Sequence, residues 1–161
     1  MIENTDFAND FELVFVGKVS EQVLESVANF GLEKYLTNVG YVSYQESVGF
    51  KEKSQVLLLL EIDKPEMNGI IPGKLFEYLQ AKRPILAIGP NKWDAAKIIA
   101  ETNSGKYFEY SSKREIKAQI LEWYKAYKKG ELHIDSSSEK IKKFSRKKLT
   151  ENLATIINQL D

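Results

Sequence analysis

The sequence predicts an α/β fold in which a parallel sheet is covered by helices on both faces, a three-layer α/β/α arrangement. Two observations carry this. Short, β-rich apolar runs alternate along the chain with amphipathic stretches of 10 to 15 residues, the spacing of βαβ units rather than of hairpins. The run Val56-Leu57-Leu58-Leu59-Leu60 is apolar without alternation, which suits a strand covered on both faces of a parallel sheet.

Taken in order, residues 11–16 (FELVFV) read as a buried strand ended by Gly17. Ser20 stands where a helix N-cap belongs. Val23, Leu24, Val27 and Phe30 then recur at helical spacing until Gly31 stops the helix. Residues 36–42 predict a second strand and residues 44–53 a short helix, followed by the strand at 56–60. Residues 61–72 are rich in turn formers. Residues 73–82 predict a helix with Leu75, Phe76 and Leu79 inward, broken by Arg83-Pro84. Ile85-Leu86-Ala87-Ile88 is the next strand, residues 93–102 a helix and residues 106–110 a short strand. Ile116, Ile120, Tyr124 and Tyr127 mark a long helix that ends at Gly130. Residues 132–138 read as a linker. Leu149, Leu153, Ile156, Ile157 and Leu160 mark a final amphipathic helix.

At 161 residues the chain suits one domain, spanning 1–161, with no internal repeat. Hydrophobic content of 43% and charged content of 29% are ordinary for a soluble globular protein. Twenty-three basic residues balance twenty-three acidic ones, so net charge points to no nucleic-acid partner. The absence of cysteine excludes disulfides, thiolate metal sites and cysteine nucleophiles. The acidic, polar start (MIENTD) is unlike a signal peptide, and the longest apolar run is too short to span a bilayer, which together favour the cytoplasm.

In open α/β sheets ligands sit beyond the carboxyl ends of the strands. The loops to watch are therefore Gly17-Lys18 and residues 40–43, 61–73 and 89–92. The first strand is followed by Gly17-Lys18-Val19-Ser20, which is not the glycine pattern of a dinucleotide site. The single histidine, His133, lies in a polar linker, a poor place for a catalytic imidazole and an ordinary one for a solvated side chain. No His or carboxylate grouping has metal spacing. Gly69-Ile70-Ile71-Pro72-Gly73-Lys74 is not a nucleotide-triphosphate P-loop: it is one residue short, Leu75 replaces the magnesium-binding hydroxyl, and Pro72 has no N–H. A glycine-containing loop that opens a helix is still a plausible anion site, because the helix start presents free N–H groups and Lys74 adds a full charge. Glu77 shares a face with Lys74 at i+3. The pair reads either as a surface ion pair or as a carboxylate set to accept hydrogen bonds from a sugar diol beside a phosphate.

The run 71–89 (IPGKLFEYLQAKRPILAIG) resembles a signature of the retaining, family-4 type of GT-B glycosyltransferases. Weaker likenesses flank it: residues 11–19 to a strand followed by Val-Gly, Gly31-Leu32 with Val39-Gly40-Tyr41-Val42 to the stretch leading to the base pocket, residues 54–60 to an Ala-Asp-x-x-Leu strand, Ile98 to Gly105 to the segment that follows, and Phe144-Ser145-Arg146 before the last helix. The resemblance covers roughly residues 10 to 160 and implies the Rossmann-like, nucleotide-sugar-binding half of such an enzyme.

By that resemblance, Glu77 matches the glutamate that accepts hydrogen bonds from the ribose hydroxyls. Gly73 and Lys74 match the backbone that holds the diphosphate, Gly69, Ile70 and Ile71 fall in the sugar-phosphate loop, and main-chain groups near Tyr41 and Val42 would meet the base. A second glutamate, eight positions before the first, attends the donor sugar in the family. Here that position is Gly69, so the carboxylate is absent or comes from Glu66 in the same loop. The family's first strand and helix have no counterpart, and neither has its acceptor-binding N-terminal domain, so the chain reads as a partial donor domain.

The implied activity is transfer of a sugar from a nucleotide diphosphate sugar to a hydroxyl acceptor, as in cell-surface polysaccharide synthesis. It would proceed with retention, without metal or other cofactor, and not by this chain alone. The partners implied are the donor and the N-terminal acceptor domain. The rival reading is a non-catalytic, flavodoxin-like binding or interaction module. Finally, Lys140, Lys142, Lys143, Arg146, Lys147 and Lys148 form a basic stretch. Such runs usually face water; the sharper alternative is peripheral contact with an anionic membrane.

Overall fold

Apolar runs of four or five residues separated by helices pair in parallel, because each helix carries the chain back to the edge where its strand began. The computed structural model, which describes residues 5–134 and 138–159, has this character. Its described strands are all parallel and lie in a two-stranded and a three-stranded sheet flanked by helices. The class is α/β, compatible with a three-layer Rossmann-like arrangement.

The chain divides into two units, Met1–Phe50 and Lys51–Asp161. In the first, α1 (Thr5–Asp10) precedes β1 (Leu13–Val16), α2 (Glu21–Asn29), β2 (Leu36–Gly40) and the start of α3 (Tyr44–Lys53). Helix α1 lacks an apolar repeat long enough to read from sequence. Ring contacts anchor it, Phe7 stacking on Phe11 at 5.2 Å and Phe11 meeting the edge of Tyr35 at 5.7 Å. β1 and β2 pair from Leu13↔Leu36 to Val16↔Gly40. β2 ends two residues earlier than its apolar pattern suggests, because Gly40 turns the backbone to φ 76°. Ser20 does stand at the N-cap of α2, but its side chain makes no capping bond, so the expected cap is not formed. α3 has a weak apolar pattern yet begins where expected, for a reason the sequence carries in Ser43-Tyr44-Gln45-Glu46. The Glu46 carboxylate accepts from Ser43 N–H at 2.8 Å, and Ser43 Oγ accepts from Glu46 N–H at 3.3 Å. The hydrogen bonds to Ser43 hold the Glu46 carboxyl below its ordinary range.

In the second unit β3 (Leu57–Leu60), α4 (Lys74–Ala81), β4 (Ile85–Gly89), α5 (Asp94–Thr102) and β5 (Gly105–Glu109) follow one another, with strand order β3-β4-β5. Right-handed crossovers between successive neighbours place α4 and α5 on the same face of the sheet. The core sits there: Leu59, Ile85 and Ala87 from the strands meet Leu75 and Leu79 of α4 and Ala95, Ile98 and Ile99 of α5. A fully buried aliphatic side chain contributes about 1.5–3 kcal/mol, so this cluster dominates the unit. The other face is covered unevenly. Leu86 is buried, but Leu60 is 44% exposed, so the expectation of a β3 strand covered on both faces holds for its first residues only.

Beyond β5, α6 (Lys113–Lys128) turns Ile116, Ile120, Trp123 and Tyr124 partly inward, whereas Tyr127 remains exposed. Residues 135–137 of the expected linker lie outside the described residues. A short helix unforeseen in the sequence, α7 (Ser138–Lys142), follows. Its Ile141, with Phe144 just beyond, packs against the core cluster, and the Phe144 ring lies 6.3 Å from that of Phe76. The final helix, α8 (Arg146–Ile157), is capped by Ser145 Oγ, which accepts from Lys148 N–H. Leu160, the last expected apolar position, lies outside the described residues.

Candidate functional site

Parallel strands deliver their following loops to one edge. In the second unit that edge carries the loop between β3 and α4, residues 61–73, and the turn between β4 and α5, residues 90–93. The first loop would be free to move were it not tied to the second. Trp93, 1% exposed, donates from Nε1 to the carbonyl of Ile70 at 2.6 Å, and the Asp94 N–H donates to the carbonyl of Asn68 at 2.8 Å. β5 adds two ties: Tyr107 donates to Pro90 O at 2.5 Å and Tyr110 to Glu61 O at 3.0 Å. Burial is the first cause that raises both phenols above their ordinary pKa, so they stay protonated donors. Trp93 precedes α5 rather than opening it, which corrects the predicted helix start. Its ring lies against the bare backbone of Gly89, where an added Cβ would come within 2.6 Å of the indole.

Held this way, the loop brings together Gly69, Ile70, Ile71, Gly73 and Lys74, all of them exposed. At the start of α4 the N–H groups of Leu75 and Phe76 turn back to the carbonyls of Pro72 and Gly73. Among the described residues the N–H groups of Gly73 and Lys74 have no backbone acceptor, and the Lys74 ammonium makes no ion pair. Two open N–H donors at a helix start, with a cation attached, form an electropositive corner. Gly73 has ordinary helical angles, φ −55° and ψ −33°, and open space where a Cβ would stand. Its bare Cα therefore leaves room for close approach and relieves no strain.

Glu77, one turn on, does not form the ion pair with Lys74 that was one reading of their spacing. It accepts from Lys51 Nζ at 2.5 Å, an ion pair between the last turn of α3 and α4. The lysine side chain is 13% exposed and the carboxylate 44%, so one side of Glu77 is held by a nearly buried cation while the carboxylate still reaches solvent. No apolar period in the sequence points to Lys51. It is found only once α3 and α4 are placed.

At Gly69, where the family resemblance leaves a carboxylate wanting, an added Cβ would lie 4.0 Å from Asp94 Oδ2. Asp94 pairs with Lys97 at 2.7 Å and keeps a 43% exposed side chain, while Glu66 is exposed in the short 3-10 turn Pro65–Met67. Asp94 is thus a carboxylate beside Gly69 that sequence spacing did not reveal. Next to it, Asn68 Oδ1 is the one buried side-chain polar atom without a hydrogen-bond partner among the described residues. Lys92 is held at φ 60° in the adjoining turn, an uncommon conformation for a side-chain-bearing residue.

Tyr41 and Val42 belong to the first unit. Tyr41 follows the Gly40 turn at the carboxyl end of β2 and is 93% exposed, so its whole ring face is open to stacking, and Val42 is half-buried. His133 is exposed, as a solvated histidine would be. Among the described residues no group of His, Asp or Glu is arranged to hold a metal ion, and no helix is long and apolar enough to cross a membrane. No protein-family model matches the chain, and no curated protein was found to be similar to it.

Proposed function

We propose that this chain is the donor-binding part of a glycosyltransferase, and that the segment from Gly69 to Glu77 receives the sugar diphosphate and ribose of a nucleotide sugar. The observation that carries the reading is the start of α4, where the unengaged N–H groups of Gly73 and Lys74, the Lys74 ammonium and the Glu77 carboxylate lie within one turn of helix. A diphosphate suits the first three groups and a vicinal diol the fourth.

Sugar transfer breaks the bond between the anomeric carbon and the diphosphate oxygen, and negative charge grows on the departing diphosphate. Preoriented N–H donors and a cation at that oxygen stabilise the transition state more than the ground state. The acceptor hydroxyl would take the sugar with retention and without a metal ion, its proton passing to the departing diphosphate. These residues account for the donor side alone, so the purified chain is expected to bind nucleotide and transfer no sugar: proximity of donor and acceptor supplies about 7–11 kcal/mol of such a barrier.

The Lys51–Glu77 pair favours the second reading, a non-catalytic binding or interaction module, because a carboxylate already held by a near-buried lysine has a structural task. Glu77→Gln separates the two. It keeps size but loses charge and one acceptor. Calorimetric titration with uridine and guanosine diphosphates should show binding weakened about tenfold or more, near 1.4 kcal/mol. The melt should shift only modestly, because the glutamine oxygen can still accept from Lys51. A shifted melt with unchanged affinity would assign Glu77 to the ion pair alone and remove the ribose contact.

A further inference from the structure

We propose that α7 and α8 form an amphipathic foot that docks this chain on an anionic lipid surface. The inference stands apart from the nucleotide reading. Every described residue from Arg146 to Gln159 is exposed, so α8 has no buried face. Yet Leu149, Leu153, Ile156 and Ile157, 49%, 57%, 57% and 53% exposed, follow the i, i+4, i+7, i+8 spacing of a single stripe. A helix of this length gains little from its own hydrogen bonds in water, and burial of such a stripe is what stabilises it. The helix is attached firmly at its start: Ile141 and Phe144 pack against the core, and Lys143 pairs with Glu101 at 3.1 Å.

Charge complementarity names the occupant. Between Glu139 and Glu151 six basic residues face two acidic ones, a net charge of +4 in a chain whose overall charge is zero. Lys140, Lys142, Lys143, Lys147 and Lys148 line a shallow concavity of about 540 Å³ between α7 and α8, together with Glu139 and Glu151. The pairs Lys142–Glu139 and Lys148–Glu151 are exposed and exchange readily for a phosphate oxygen. Arg146 and Lys147 are exposed and make no ion pair among the described residues. Arg146 also continues the line of Leu153 and Ile157 at the N-terminal end of the stripe, where a long cationic side chain can reach headgroups while the leucines enter the acyl boundary. A second copy of the chain fits less well. No acidic residue follows Glu151 in the described part of α8, so antiparallel pairing would leave the basic turns unmatched, and parallel pairing would oppose them.

Co-sedimentation of the 161-residue chain with vesicles tests this. One set is phosphatidylcholine alone and the other an equal mixture of phosphatidylcholine and phosphatidylglycerol. Binding should be at least about tenfold stronger to the anionic vesicles and fall as salt is raised. Arg146→Gln with Lys147→Gln should each reduce it, to about tenfold or more together. Leu153→Ser with Ile156→Ser should abolish it, with the melting temperature unchanged because these side chains support no core. Equal pelleting with both vesicles, no pelleting, or anionic binding indifferent to the stripe variant would overturn the proposal. So would a dimer in light scattering that the stripe variant dissociates, which would make the stripe a protein interface.

Discussion

Replacing Gly105 by alanine is expected to destabilise the protein by about 3 kcal/mol or more, a large part of the ordinary margin of about 5–15 kcal/mol. At this residue β5 passes β4 so closely that an added Cβ would lie 2.0 Å from the carbonyl oxygen of Ile85 and 2.7 Å from its nitrogen. Those are main-chain atoms at the first rung of the β4–β5 ladder, Ile85↔Gly105, and they cannot step aside as a flexible side chain could. The approach is fixed from both sides. Ile85 N–H donates to Ser104 O at 3.0 Å, and the fully buried Thr102 and Ser104 are joined by a 2.8 Å hydroxyl bond where the chain leaves α5. Gly49, within α3, is the natural control. A Cβ there meets nothing within 4 Å, and alanine in a helix interior should stabilise by about 0.5–1 kcal/mol. Urea melts of the two variants check the contrast; a Gly105→Ala midpoint equal to that of the parent would show that β4 and β5 do not approach as described.

Trp93 is expected to govern both stability and binding, in separable ways. Truncation to alanine removes a ring that is 1% exposed, lies over Gly89 and meets Tyr107 at 6.2 Å, and should cost about 3–5 kcal/mol. Trp93→Phe keeps most of the packing but deletes the donor to Ile70 O, a part-buried hydrogen bond worth about 0.5–1.5 kcal/mol. Because this bond holds the loop leading into α4, the phenylalanine variant should bind nucleoside diphosphate more weakly than its residual stability alone would suggest, at a temperature well below its melt. Full affinity in a folded Trp93→Phe protein would show that the loop keeps its geometry without the indole.

Much of this fold is legible in the sequence because the second unit obeys simple rules. The apolar run at Val56 to Leu60, the pair Arg83-Pro84 ahead of Ile85, and the helical spacing of Leu75 and Leu79 each specify one element, and each lies within two residues of its place. What escaped has identifiable causes. α1 depends on ring contacts among Phe7, Phe11 and Tyr35, which no local period records. Residues 132–138 are polar enough to read as linker throughout, yet α7 begins at Ser138 and is fixed by Ile141 and by Phe144 just beyond it, meeting a core formed far earlier in the chain. At the site, Gly69, Gly73, Lys74 and Glu77 are adjacent in sequence and could be singled out together. Lys51, Asp94 and Trp93 reach them only through tertiary packing. The Lys74–Glu77 ion pair, one of the two readings of that spacing, does not form for the same reason. Its i, i+3 geometry was available, but a less exposed cation from another helix, with less water to give up its partner to, took the carboxylate.

Whether the start of α4 receives a nucleoside diphosphate, as we propose, can be read at the Gly73 and Lys74 amides themselves. The most direct measurement is the backbone amide spectrum of the isotope-labelled chain as uridine diphosphate, and separately guanosine diphosphate, is added. Saturable movement of the Gly73 and Lys74 amide signals is expected with at least one of the two nucleotides, at a lower apparent affinity in Glu77→Gln. Signals of Gly73 and Lys74 that stay in place at saturating concentrations of both, or shifts confined to other parts of the chain, would contradict it.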